Sequence, residues 1–312
     1  MNQKIATRDA YGDVLVELGK KNSRIVVLDA DLSKSTKTAN FKEVFPQRFF
    51  NMGVAEADMM GTAAGFAAAG LIPFASTFAV FATGRAYDQI RNSIAYPVLN
   101  VKIVATHAGI TVGEDGGSHQ SIEDIAIMRV LPNMTVIVPA DAPETKKAIE
   151  AAVELEGPVY VRLGRTGVPV LFSEDQPFVI GKGKIIKEGS DITIIAIGVM
   201  VSKALEAAEI LLQQGVKARV INLPTLKPLD EEIIISAARE TGGIVTAEEH
   251  SIIGGLGGAV SEVTAENCPV PVKRVGVQDT FGESGSPEQL LEKYGLTSEN
   301  IVKAVQELLN KR

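Results

Sequence analysis

Short runs of branched apolar residues, separated by stretches of helix length, recur along most of this chain, and that alternation limits its fold more than any other feature. Arg24-Ile-Val-Val-Leu28, Ile72-Pro-Phe-Ala-Ser76, Val101-Lys-Ile-Val-Ala105, Met134-Thr-Val-Ile-Val138 and Pro158-Val-Tyr-Val-Arg162 read as buried strands. Strands alternating with helices favour a mostly parallel sheet covered on both faces. From Gly167 to Ser190 the alternation lapses into Pro, Gly and charged residues, and it resumes at 192–197, 217–222 and 244–247 with helices between. The expected fold is α/β, as two three-layer α/β/α domains with mostly parallel sheets: residues 1–170, a linker at 171–190, and residues 191–312.

At 312 residues and 46% hydrophobic content there is enough chain for two buried cores. The net charge of -7, with Lys and Arg scattered, gives no field for nucleic acid or anionic lipid, so neither is an expected partner. Cys268 stands alone, which excludes an intrachain disulfide framework and a cysteine zinc site and suits a reducing compartment. No signal-peptide core and no bilayer-length apolar run occurs, so a soluble, cytoplasmic protein is expected.

In an open α/β sheet the ligand crevice lies beyond the carboxyl ends of the strands, so the polar residues there carry the functional reading. Asn51 to Gly70 turns a short strand into a helix built mostly of Ala, Gly and Thr, with Glu56 and Asp58 in its first turn, where the helix dipole favours carboxylates. Both acids suit simple capping, and Glu56 also suits a working carboxylate. Thr7 is placed to cap the first helix, and Ser33 and Ser35 follow the first strand. Phe78 and Phe81 are either core or the walls of a slot for a flat heterocycle.

The loop Thr106-His-Ala-Gly-Ile-Thr-Val-Gly-Glu-Asp-Gly-Gly-Ser-His-Gln120 holds two of the three histidines. Its Gly content, His107, Asp115 and His119 suit proton transfer to a hydroxyl-rich anionic substrate. A zinc site is the weaker alternative, because the two imidazoles lack helical spacing and no cysteine is near. Arg165, just past a strand, suits a forked contact to phosphate or a plain surface position. Gly254 to Gly258 fails the dinucleotide fingerprint, since Val260 stands where the last glycine is needed, and a tight turn with close helix packing fits better.

The same loop, with Met52-Gly-Val-Ala-Glu56, Thr77-Phe-Ala-Val-Phe81, Leu131-Pro-Asn-Met134, Arg162-Leu-Gly-Arg165 and Asp279-Thr-Phe-Gly-Glu-Ser-Gly285, resembles the transketolase family in order across nearly the whole chain. The resemblance covers that family's thiamine diphosphate pyrimidine-binding domain and transketolase C-terminal domain. It implies thiamine diphosphate as cofactor, with Mg2+ (or Ca2+) held mainly by a diphosphate-binding domain on a partner, an N-terminal transketolase subunit, in an α2β2 assembly; no metal ligand is expected in this chain. It implies that Glu56 hydrogen-bonds the aminopyrimidine and that Phe78 and Phe81 pack around it, with Gly84 where the family has a further tyrosine. His107 and His119 match catalytic and substrate histidines, Asp115 matches an acid that recognises a sugar hydroxyl, and Arg8, Ser35 and Arg165 match residues that bind sugar phosphates. The implied reaction is two-carbon ketol transfer. The chain is also similar to the β subunit of 2-oxo acid dehydrogenases and to deoxyxylulose-phosphate synthases, and a non-catalytic assembly subunit is the alternative outside enzymes.

Overall fold

The computed structural model describes residues 3–310. One sheet has seven strands, in spatial order Thr225–Lys227, Thr135–Ile137, Val159–Arg162, Lys102–Ala105, Ile72–Ser76, Ile25–Asp29 and Phe49–Asn51. Every pairing in it is parallel except the one made by Thr225–Lys227. A second sheet runs Val272–Val277, Ile244–Ser251, Ile192–Ala196, Ala218–Asn222, Lys184–Lys187, and only its last pairing is antiparallel.

Helices cover the sheets because the strands are apolar on both sides. On one face of the first sheet, Val14 and Leu18 of helix Thr7–Lys21 meet Ile149 and Val153 of helix Ala142–Glu154 over Val27 and Phe74. On the other, Met59, Met60 and Ala63 of helix Glu56–Ala68 pack with Ile90, Ile94 and Met128. That core does not stop at the first unit: Ile195, Ile221, Leu256 and Val260 of the second belong to it. Each such side chain contributes about 1.5–3 kcal/mol on full burial, so the two units are held by a shared apolar seam.

The helix ends follow local chemistry. Asp141 accepts from the Glu144 amide at 2.9 Å, and Asp230 caps helix Glu231–Thr241. Thr7 is not the expected cap: it is the first helical residue after Ala6, and its hydroxyl accepts from the Gly164 amide at 2.9 Å. The stretch 171–190 is not wholly a linker either, since Lys184–Lys187 is an edge strand whose four residues are too few to register against their polar surroundings. The helical stretch from Phe81 to Ala95 contains wide π turns at Phe81–Arg85 and Ile90–Ala95, a geometry frequent at functional sites.

The parallel order puts the carboxyl ends of six strands of the first sheet on one edge. A two-stranded ribbon, Lys4–Ala6 with Gly167–Pro169, then brings the start of helix Thr7–Lys21 beside the segment that follows Val159–Arg162. Arg8 and Arg165, far apart in sequence, meet there.

Candidate active site

The residues predicted for the site form a nearly continuous run of contacts along that edge. Glu56 is the first residue of its helix and only 4% exposed. Its Oε1 accepts from Arg85 Nη1 at 2.9 Å, and the Arg85 guanidinium lies 4.0 Å over the Phe81 ring. Phe81 and Phe78 are near-parallel at 5.8 Å, His119 meets Phe81 edge-on at 5.4 Å, and His107 stacks on Phe78 at 3.8 Å. From the far side Arg8 Nη1 donates to His107 Nε2 at 3.1 Å and to the Ser35 carbonyl at 3.0 Å.

His107 sits at φ +57° and is buried. Burial, helped by the charges of Arg8 and Arg165 and by His119, pushes its pKa down to about 3. A neutral ring that accepts from Arg8 at Nε2 must carry its proton on Nδ1, which therefore donates to the Thr106 hydroxyl at 2.9 Å. His107 is thus a fixed neutral group at neutral pH, suited to hydrogen bonding rather than to acting as a cation. His119 is half-buried, with Ser118 Oγ at 3.0 Å from its Nδ1.

Arg165 donates to the Val112 carbonyl and lies 3.4 Å from Asp115 Oδ2 and 3.6 Å from Glu114 Oε2. It is one-third exposed, so these pairs are weak and the fork can turn to an incoming anion. Ser35 enters through its carbonyl in this structure, half-buried at the end of a short helix whose start is fixed by Asp29 through the Leu32 amide and the Thr36 hydroxyl.

Two further residues escaped the sequence reading. Arg85 holds Glu56 across 29 positions, and Glu249, on the second unit, accepts from the Thr111 amide at 2.6 Å across 138. The only sequence signal for Glu249 was its place in the Glu248-Glu249-His250 run, and that run proved to be part of a strand longer than expected, Ile244–Ser251. The glycine-rich turn after it is a packing device. Glu248 fills the start of helix Leu256–Asn267, accepting from the Leu256 and Gly257 amides at 2.7 and 2.8 Å, where a phosphate would otherwise sit. Among the described residues no group of three or more His, Cys, Asp and Glu side chains could hold a metal ion, and no helix is long and apolar enough to cross a membrane.

The donor set fits a thiamine-type pyrimidine. A planar, N–H-bearing group, the Arg85 guanidinium, already stacks on Phe81 while bonding Glu56, and an aminopyrimidine needs the same pair of partners.

Fold and site together define an α/β protein whose ligand edge is built by one parallel-sheet unit and shaped by a second. Residues 3–170 match the transketolase pyrimidine binding domain and residues 181–301 the transketolase C-terminal domain, so the chain belongs to the transketolase family. It is 55% identical to a protein of Methanocaldococcus jannaschii, named provisionally as a transketolase C-terminal section, over 97% of this chain and 96% of the relative. It is 48% identical to a 6-deoxy-6-sulfo-D-fructose transketolase subunit of Clostridium sp., over 98% of this chain and 95% of the relative. Against rat transketolase it is 39% identical over its whole length but spans only 50% of that protein. A solved structure described as a split gene transketolase, inactive beta4 tetramer, superposes with a TM-score of 0.92 at 61% identity, covering 98% of this chain and 99% of that one.

Proposed function

We propose that this chain is the C-terminal subunit of a split, thiamine diphosphate-dependent transketolase, which moves a two-carbon ketol unit from a ketose phosphate to an aldose. The observation that carries the reading is the buried Glu56, bonded by a planar nitrogen group that stacks on Phe81. Thiamine diphosphate, when bound, supplies the electron sink for the two-carbon unit. Glu56 would hold a proton against the pyrimidine ring nitrogen through a carboxylate of which Arg85 bonds only Oε1, and Phe81 and Phe78 would flank the ring. His119 lies edge-on to both phenylalanines, and we assign it the donor's first hydroxyls beside the reacting carbon. His107, neutral and oriented by Thr106, offers Nε2 to a sugar hydroxyl once Arg8 turns from it to the phosphate. Asp115 takes a sugar hydroxyl, and Arg8 and Arg165, with Ser35, take the phosphate.

Two relatives covered over 95% or more of their own length are named as a section or subunit, and the 61%-identical solved structure is described as an inactive beta4 tetramer of a split gene transketolase. This supports a partner subunit, to which we assign the diphosphate and Mg2+ (or Ca2+) in an α2β2 assembly. Glu56→Gln in the assembled complex is the test. Loss of ketol transfer with the assembly intact is expected; retained transfer overturns the reading and leaves an assembly subunit, and acyl-lipoyl product in the wild-type complex points instead to a 2-oxo acid dehydrogenase.

A further inference from the structure

The loop that carries His107, Asp115 and His119 grows from the first sheet, but the second unit sets the shape of its middle. Gly109, Gly113 and Gly116 have φ of +81°, +84° and +77°, so the loop winds through left-handed backbone that other residues resist. Against these turns lie groups from the second unit. A Cβ added at Gly109 would come within 2.3 Å of the Glu249 carboxyl carbon, and one at Gly117 within 2.7 Å of the Gly282 carbonyl oxygen. Gln120 closes the loop, donating to the Ile110 carbonyl at 3.1 Å and to the Glu283 carbonyl at 2.9 Å.

Apolar packing seats Ile110 in the core of the second unit, but it leaves the neighbouring Thr111 beside open space. Behind Ala108 and Thr111 a cavity of about 160 Å³ runs along the seam between the units, and Glu249 lines it. At Thr111 the seam is crossed by the hydrogen bond of 2.6 Å from its amide to Glu249 Oε1. Glu249 is itself held: its carbonyl accepts from Arg162 Nη2 at 2.9 Å, and the same nitrogen donates to the Ser121 carbonyl at the loop's far end at 3.2 Å. Arg162 is anchored by Asp124 at 2.8 Å, and Asp124 also accepts from Tyr160 at 2.7 Å. One buried arginine therefore ties the acid and the end of the loop to a common frame.

We propose that Glu249 is a positioning residue for the substrate loop: by fixing the Thr111 amide from the second unit it sets the turn that joins His107 to His119. The role rests on the reading of that loop as the sugar-handling element, and it gives the C-terminal unit a part in turnover without contact with the sugar. Burial raises the Glu249 pKa, with Arg162 opposing, so a neutral amide is a fair replacement for its acceptor oxygen.

Glu249→Met fills the space without a comparable acceptor, whereas Glu249→Gln keeps one. In the chain alone, Met is expected to speed hydrogen exchange of the Thr111 amide about tenfold or more, and Gln to restore most of the protection. In the complex with the diphosphate-binding subunit, Met should lower kcat/KM for the ketose about tenfold, mainly through KM, with thiamine diphosphate affinity unchanged and Gln recovering most of the loss. Equal behaviour of Met and Gln, or a Met variant altered only in melting temperature, overturns the proposal. Lost Thr111 protection in the Met variant, when the wild-type complex itself transfers no ketol unit, upholds the positioning of the loop and overturns the functional reading on its own.

Discussion

Glu56 and Glu248 are both buried acids beside the N-terminus of a helix that follows a strand, one in each unit, yet they are held in opposite ways. Glu248 is fully buried, with its two oxygens taken by the amides of Leu256 and Gly257, and a Cβ at Gly255 would come within 2.0 Å of its Oε2. The glycine turn exists to admit that carboxylate. Glu56 is bonded instead by the tip of Arg85, a side chain 51% exposed that can swing away at little cost. Burial of an acid does not by itself mark it as catalytic, and of these two only Glu56 has a partner free to leave it for a ligand.

Substituting the two acids is the strongest way to break this comparison. Glu56→Gln should lower ketol transfer in the complex by about 10²–10⁴-fold while the melting temperature stays near wild type. Glu248→Ala should do the reverse: two charge-assisted hydrogen bonds go and buried amides are left unpaired, costing about 3 kcal/mol, read as a lower denaturation midpoint with activity per folded molecule retained. If both variants lose stability and keep activity, the contrast is wrong.

Smaller effects sharpen it. Arg165→Ala should raise the KM of the phosphorylated donor about tenfold and leave kcat largely in place. His107 adds a pH signature. Its folded pKa of about 3 lies below the ordinary 6.5, so the unfolded chain binds its proton first as the medium is acidified. Stability from this group is complete above about 6.5 and falls as pH drops towards 3, and His107→Asn should flatten that limb in a urea titration series. Arg85→Ala should change stability by only about 1 kcal/mol, the scale of an ion pair whose cation is half exposed, although its Glu56 partner is buried.

Much of this was legible in the sequence, for physical reasons. Strands such as Ile25–Asp29 are apolar on both faces and announce themselves locally, and the strand-end rule then collects Ser35, Glu56, Phe78, His107 and Arg165 on one edge. What stayed hidden depends on distant pairing. Thr225–Lys227 is an edge strand only because the first unit supplies Thr135–Ile137 as its neighbour, and nothing in its three residues says so. Arg85 and Glu249 belong to the site through partners far along the chain, and a period or a motif cannot report such a meeting.

The central claim is that this chain carries half of a thiamine diphosphate site. The most direct measurement is two-carbon transfer from xylulose 5-phosphate to ribose 5-phosphate, with thiamine diphosphate and magnesium, by the chain alone and then mixed with a subunit carrying the diphosphate-binding domain. Activity in the mixture only is the predicted result. Activity of the chain alone, or a mixture that binds cofactor and transfers nothing, would contradict the account.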